Sequence, residues 1–239
     1  MNATIQALVG TSTVGTAAAI GAAYWATYAV RSQWLGPTTW QGRTDTRSVA
    51  LTFDDGPADD TERILESLDR FNVRAAFFML GRQVERYPEI ARMIVEAGHE
   101  VGNHSYSHPL YLYCTPSRVR HELERTQAVI ADTTGVRPIW SRPPCGVRSP
   151  GYFHATARLG LRTVQWSVAG FDWRRCDPST IAASVARGMD PGAIVLLHDG
   201  DSAGRTDRRA TVQALPSIVR AAASRGLALA PLSALLRMS

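Results

Sequence analysis

The chain has 239 residues, of which 45% are hydrophobic and 20% are charged, a balance that excludes disordered, collagen-like and coiled-coil proteins. The net charge is +5, but all 26 basic residues are arginines, and they are scattered rather than grouped in a stripe with interleaved aromatic residues. We therefore predict no nucleic-acid partner. The three cysteines form no CxxC pair, and both a single disulfide and three free thiols stay open.

The first thirty residues carry no charged side chain, and Val14–Val30 is long enough to cross a bilayer. Three aromatic residues cluster near its end, and the basic n-region of a cleaved signal peptide is missing. We predict that residues 1–36 form a hydrophobic helix and an uncleaved single-pass anchor in the cell membrane. The side of the membrane stays open, because the following arginines favour the cytoplasm whereas a folded domain can override that bias. The alternative is a buried or disordered N-terminal helix.

After a polar Pro/Gly-containing linker at residues 37–46, short apolar runs alternate with amphipathic stretches as far as residue 239. This alternation predicts one α/β domain with a parallel sheet, open or closed into a barrel. The predicted strands are Val49–Phe53, Ala75–Leu80, Glu100–Asn103, Ile139–Arg142, Thr163–Val168, Ala193–Leu197 and Leu227–Ala230. The predicted helices are Asp60–Phe71, Glu89–Ala97, Pro116–Asp132, Tyr152–Leu159, Ser179–Arg187 and Thr211–Arg225.

Polar side chains stand at the carboxyl ends of five of these seven strands. They are Asp54 and Asp55, His104 and His108, Arg142, Asp172, and His198. Each motif alone also occurs in ordinary turns or protein cores, so the prediction depends on their joint placement. Because the carboxyl ends of parallel strands share one rim, we expect these side chains to meet there.

Two imidazoles and one carboxylate with open positions suit one divalent metal, Zn²⁺ or alternatively Co²⁺ or Ni²⁺. One of two adjacent carboxylates can bind the metal while the other takes a proton from water. A neighbouring arginine would keep that base ionised, and a second histidine can protonate a leaving group. The set predicts metal-assisted hydrolysis of an amide. Since dinucleotide and phosphate fingerprints are missing, we predict no nucleotide cofactor.

The five motifs stand in a family order. They are TFDDGP at Thr52–Pro57, HSYSH at His104–His108, RPPCG at Arg142–Gly146, DW at Asp172–Trp173 and LLH at Leu196–His198. With them, residues 47–239 resemble the polysaccharide deacetylases of the NodB-homology type, carbohydrate esterase family 4. The resemblance implies a distorted (β/α) barrel. It also implies metal-dependent removal of N-acetyl groups from the amino sugars of a peptidoglycan- or chitin-like glycan.

The same resemblance assigns roles at the metal end of the site. It implies that Asp54 is the catalytic base and that Arg142 orients it. The implied metal ligands are Asp55, His104 and His108.

At the other end, the resemblance implies that His198 is the general acid and that Asp172 tunes both His198 and Arg142. Cys145 stands where the family usually has an aromatic residue whose backbone N–H helps to hold the oxyanion. Trp173 and Leu197 correspond to the walls of the acetyl pocket. Ala169 is a further departure, since many relatives carry an acidic residue there.

Two alternatives use the same residues differently. One is a deformylase or deacetylase of a lipid-linked sugar, and the other is a non-catalytic, membrane-tethered carbohydrate-binding relative. The second could lose its base or acid without penalty, yet Asp54 and His198 are both present. Since no candidate site residue precedes residue 36, we expect deletion of residues 1 to about 35 to leave a soluble, active enzyme.

Overall fold

The computed structural model describes residue 16, residues 18–174 and residues 176–236. From residue 48 onward, strands alternate with helices, which we label in chain order. The strands are β1 Ser48–Asp54, β2 Ala76–Met79, β3 Glu100–Asn103, β4 Trp140–Ser141, β5 Arg162–Thr163, β6 Val168–Ala169, β7 Ile194–His198 and β8 Ala228–Leu229. The helices are α1 Thr61–Arg70, α2 Gly81–Arg86, α3 Pro88–Glu96, α4 Pro116–Thr134, α5 Pro150–Leu159, α6 Pro178–Gly188, α7 Arg209–Ser224 and α8 Leu232–Leu235. Short 3₁₀ turns lie at Tyr111–Tyr113 and Pro144–Gly146.

The sheet is parallel and strongly curled. Its strand order is β5-β4-β3-β2-β1-β7-β6, with β8 beside the start of β1. In a flat sheet the two outer strands of seven would lie about 29 Å apart. Here only residues 164–167 separate β5 from β6 in the chain, and such a link spans at most about 19 Å. The sheet must therefore curl, and the predicted barrel is present as a parallel α/β barrel that stays open between β5 and β6.

The central strand β1 shows how the sequence builds the two layers. Alternate residues of a strand point to opposite faces. Leu51 and Phe53 belong to the large apolar cluster between the sheet and the helices. Ala50 belongs to a smaller cluster inside the barrel, which Leu232 and Leu235 of α8 close at the amino ends of the strands. Thr52 and Asp54 share the inner face with Ala50, so the carboxyl end of β1 delivers a carboxylate into the barrel.

Most predicted elements are present within one or two residues at each end. The exception is the predicted strand Thr163–Val168, which is two short strands on opposite edges of the sheet. The helices Gly81–Arg86 and Leu232–Leu235 were not predicted, because stretches of six and four residues are too short to show a helical period. All three cysteines are free thiols.

The predicted linker at residues 37–46 packs against the domain. Thr39 forms a parallel bridge with Val164, and the Gly42 N–H donates to the Gly192 carbonyl oxygen at 2.8 Å. Residues 18–28 are helical. Within the described part of the chain, no helix has both the length and the apolar character required to cross a bilayer. The anchor predicted for residues 1–36 therefore has no support here, and residues 1–15 and 17 of it lie outside the described residues.

Candidate active site

A cavity of about 620 Å³ opens at the carboxyl ends of the strands. The curled sheet brings the motif residues to this one place, although they are up to about 150 positions apart in the chain. Its lining residues are Asp54, Asp55, His104, His108, Cys145, Gly146, Trp166, Trp173, Leu196, His198, Asp201, Ser202, Arg205, Thr206 and Arg208.

Asp55 and the two motif histidines form a cluster of metal-ligand type. Asp55 Oδ1 lies 3.5 Å from His104 Nε2 and 3.4 Å from His108 Nε2. Asp55 Oδ2 accepts the Ser202 N–H at 3.3 Å, whereas Oδ1 is buried without a hydrogen-bond partner. A buried oxygen facing two imidazole nitrogens suits a divalent cation, so the residues present fit the predicted metal site.

The surroundings prepare these ligands for binding a cation. The Arg142 carbonyl oxygen can only accept, so His104 donates from Nδ1 at 2.8 Å and a neutral His104 carries its lone pair on Nε2. Burial lowers the pKa of His108 to about 4, and the neighbouring His104 acts in the same direction. Although burial opposes it, contact with His104 and His108 holds the pKa of Asp55 well below its usual range. At neutral pH, His108 is neutral and Asp55 is ionised.

The turn that carries Asp55 is fixed by a residue that the sequence analysis missed. Asp55 has a φ of +75°, in the left-handed region, and thereby turns its carboxylate out of the strand alternation. Asp199 accepts the Gly56 N–H at 3.1 Å and the Thr61 hydroxyl at 2.7 Å. A Cβ at Gly56 would lie 1.9 Å from Asp199 Oδ2, so only glycine fits. Burial raises the pKa of Asp199 to about 7.

The loop that carries His108 is held by Glu122, a buried residue of α4. The Glu122 carboxylate accepts the N–H of Tyr106 at 3.0 Å, the N–H of Ser107 at 2.7 Å and the Ser107 hydroxyl at 2.8 Å. Ser105 and His108 both have positive φ, and the His108 N–H donates to Ser105 Oγ at 3.0 Å. The sequence signal for Glu122 was a carboxylate at a core-facing position of an amphipathic helix.

Arg142 binds the second carboxylate, Asp54, inside the barrel. Its Nη1 donates to Asp54 Oδ1 at 2.7 Å and to Thr52 Oγ1 at 2.8 Å. Its other nitrogens donate to the carbonyl oxygens of Val164 and Gln165, and its plane lies 4.1 Å from the centre of the Phe78 ring. Asp54 Oδ2, which receives no hydrogen bond from Arg142, lies 3.8 Å from His104 Nε2. The guanidinium therefore orients Asp54 beside the metal-ligand cluster.

His198, the last residue of β7 and the register neighbour of Asp54 on β1, is paired with Asp172. Its Nδ1 lies 2.9 Å from Asp172 Oδ1, and its backbone N–H donates to Asp172 Oδ2 at 2.7 Å. Burial alone would lower the pKa of His198, but the Asp172 carboxylate, together with Asp55 and Asp54, raises it to about 9. His198 is therefore charged at neutral pH, as a general acid must be.

Asp172 has direct contacts with only one of the two residues that it was predicted to tune. Among the described residues, the side-chain partners of Asp172 are His198 and Thr211, and its carbonyl oxygen accepts from Arg208. Arg142 has its own set of partners and makes no hydrogen bond to Asp172. Asp172 therefore contacts His198, and its predicted effect on Arg142 stays a prediction.

Of the two residues predicted to form the pocket walls, one lines the cavity and the other does not. Trp173 lines the cavity with 42% of its surface exposed, and its ring centre lies 5.4 Å from that of His198. Leu197 does not line the cavity, since it lies in the cluster between the sheet and the helices. Leu196 lines it instead. The strand alternation explains this correction, because Leu196 and His198 share the inner face of β7 and Leu197 points outward.

Cys145 lines the cavity from the loop after β4. Its backbone is left-handed, with φ 55° and ψ 16°. The Gln165 side chain, which the sequence analysis also missed, donates to the neighbouring Gly146 carbonyl oxygen at 2.7 Å. Burial raises the pKa of the Cys145 thiol, and the carboxylates of Asp55 and Asp54 add to this. The side chain is therefore a neutral wall of the pocket at neutral pH.

Comparison with known proteins gives consistent matches. The family described as Polysaccharide deacetylase matches residues 41–164. A chitooligosaccharide deacetylase of Bradyrhizobium sp. (strain ANU 289) is 39% identical over 196 residues, which cover 78% of this chain and 90% of that protein. The solved Bc1960 peptidoglycan N-acetylglucosamine deacetylase superposes with a TM-score of 0.78 at 32% identity, covering 84% of this chain and 94% of that one.

A further solved relative is described as a pseudoenzyme. BA3943 from Bacillus anthracis, described as a CE4 family pseudoenzyme, superposes with a TM-score of 0.76 at 31% identity and covers 84% of this chain and 69% of that one. Similarity of fold alone therefore does not separate an active enzyme from an inactive relative.

Proposed function

Since the chain belongs to the polysaccharide deacetylase family, we propose that it is a metal-dependent hydrolase that removes N-acetyl groups from the amino sugars of a polysaccharide or glycoconjugate. Membership of the family confirms the resemblance inferred from the motifs. One observation carries the proposal. The Asp55/His104/His108 cluster lies in one cavity that Asp54 and His198 also line, and these two are paired with Arg142 and Asp172.

The proposed metal ligands are Asp55, His104 and His108, with Zn²⁺ as the proposed ion. When bound, such a cation supplies Lewis-acid polarisation of the acetamide carbonyl and lowers the pKa of a water molecule. The unpartnered Asp55 Oδ1 supports this assignment, because a buried anionic oxygen without a donor is costly unless a cation binds it.

Asp54 is the proposed general base. Its Oδ1 is engaged by Arg142 at 2.7 Å, which leaves Oδ2 free to accept a proton from the attacking water. Arg142 holds Asp54 in place through this charge-assisted hydrogen bond, and both side chains are buried.

His198 is the proposed general acid that protonates the departing amine. Its positive charge at neutral pH, maintained by Asp172, provides a proton for the sugar nitrogen as the C–N bond breaks. The backbone N–H of Cys145 is the proposed donor to the oxyanion of the tetrahedral intermediate. Trp173 and Leu196 are the proposed apolar walls around the acetyl methyl group.

The decisive measurement is acetate release by the purified full chain with one equivalent of added Zn²⁺. We expect release from N-acetylglucosamine oligomers or peptidoglycan fragments. N-formylated and lipid-linked amino sugars in the same panel test the alternative substrates. Full metal binding without release of acetate or formate from any member would instead indicate a pseudoenzyme.

Metal content provides a test that does not depend on the substrate. His104→Ala and His108→Ala should each lower the affinity for Zn²⁺, measured by competition with a chelator, because each removes one of three protein ligands. His154→Ala is the matched control, since His154 is exposed on α5. Unchanged affinity in both ligand variants would contradict the assignment.

Replacement of Asp172 should move the basic limb of the kcat–pH profile. His198 acts as an acid only below its pKa, so activity is lost as the pH rises through that value. Because the Asp172 carboxylate raises the pKa of His198, Asp172→Asn should shift the limb by about 1–3 pH units toward lower pH. The exposed Asp132 gives the control Asp132→Asn. An unmoved limb in Asp172→Asn would exclude His198 as the acid.

A further inference from the structure

We propose that Arg148 is a positioning residue that ties the active-site loop carrying Cys145 to residues 27–39. This inference rests on the proposed function, because it assigns the Cys145 N–H to the oxyanion. It gives the segment before the family match, which begins at residue 41, a direct part in the geometry of the site.

Arg148 lies three residues after Cys145 and is almost completely buried, with 1% of its surface exposed. Its Nη2 donates to the carbonyl oxygens of Ala29 at 2.6 Å and Thr27 at 3.2 Å, and its Nη1 donates to that of Ser32 at 3.2 Å. Its backbone N–H also donates to the Thr27 carbonyl oxygen at 3.1 Å. The loop is thus joined to the segment through both its main chain and its side chain.

The chemistry of these contacts makes them difficult to replace. In the described part of the chain, no carboxylate forms an ion pair with Arg148. Its charge is satisfied by carbonyl groups at and just beyond the carboxyl end of the helical residues 18–28, where the helix dipole favours a cation. Removal of these acceptors would leave the guanidinium to water, and the loop would lose the hydrogen bonds that hold it to the segment.

A second connection leads from the same segment to the same loop. The Thr39 N–H donates to the Thr163 carbonyl oxygen at 2.9 Å, and the Gln165 N–H donates to the Thr39 carbonyl oxygen at 2.7 Å. Gln165 in turn donates from its side chain to Gly146. The segment therefore supports the Cys145 loop through two connections, one at Arg148 and one through Gln165 at Gly146.

These contacts reverse the expectation that residues 1 to about 35 can be deleted without loss. Such a deletion removes the Thr27, Ala29 and Ser32 carbonyl groups that bind Arg148. The metal ligands stand on other loops, so they should keep their affinity for Zn²⁺. The inference therefore predicts a slow enzyme with an intact metal site.

The test compares Arg148→Met with the wild-type full chain. Loss of one oxyanion donor typically costs about 10²–10³ in kcat, and displacement of the donor should cost about 10–100-fold. KM should stay within about threefold, because the oxyanion contact is made only in the transition state. Normalising kcat to bound Zn²⁺ removes the contribution of unfolded protein. The control is Arg158→Met, at an exposed arginine of α5.

A second variant disrupts the contact from the other side. A Cβ at Gly36 would lie 2.4 Å from the Phe153 ring, so Gly36→Val should lift the segment from α5 and lower kcat with the same small change in KM. This variant gives the comparison if Arg148→Met does not fold. If the wild type is active and the folded variant has the same kcat, the inference is overturned and the proposed function is not. Failure of the wild type to release acetate overturns the proposed function.

Discussion

Asp54→Asn is expected to lower kcat by about 10²–10⁴-fold while the Zn²⁺ content stays at the wild-type level. Asparagine keeps the shape of the side chain and can still accept a hydrogen bond from Arg142 through its carbonyl oxygen. It cannot take a proton from water, and general-base catalysis is typically worth that factor. Turnover of an N-acetylglucosamine oligomer and metal analysis of the same sample are the two measurements.

The neighbouring residue supplies the matched comparison. Asp55→Asn removes the anionic oxygen that faces both histidines, so we expect weaker Zn²⁺ binding and partial recovery of activity with added metal. Release of the metal by Asp54→Asn and its retention by Asp55→Asn would show that the two roles are exchanged. The left-handed backbone of Asp55 is the structural reason for expecting the division, because it sends adjacent carboxylates in different directions.

Arg142→Met is expected to lower the free energy of unfolding of the metal-free protein by about 3–5 kcal/mol. The guanidinium is completely buried, donates to four partners and lies against Phe78. Methionine fills part of its volume but leaves the Asp54 carboxylate buried without a cation. Urea denaturation followed by circular dichroism measures the change, and kcat should fall in the same variant because Asp54 loses its orientation.

Two further substitutions sharpen this prediction. Arg142→Lys keeps the charge but lacks the planar array of donors, so it should recover only part of the lost free energy. Arg137→Met, at an exposed position before β4, should change the stability by no more than about 0.5 kcal/mol. A loss below about 1 kcal/mol in Arg142→Met would contradict a central role for the buried pair.

The sequence by itself determined the parallel α/β fold and which motif residues come together at one rim of the sheet. Alternating apolar runs and amphipathic stretches are local patterns, and parallel strands bring their carboxyl ends to one rim. Polar residues placed directly after those runs therefore had to meet, as Asp55, His104 and His108 do. The order and spacing of the five motifs along the chain then identified the family.

Only the tertiary structure decided which residues support the site. Asp199 binds Gly56 across 143 positions, and Arg148 binds Thr27 across 121. No local pattern encodes such pairs, because they form only when segments distant in the chain pack side by side. The curling of the sheet divided the predicted strand Thr163–Val168 between two edges. The structure likewise shows that Leu196, and not Leu197, lies on the inner face of β7. The sequence did not reveal this, because a strand buried on both faces shows no alternation of polar and apolar residues.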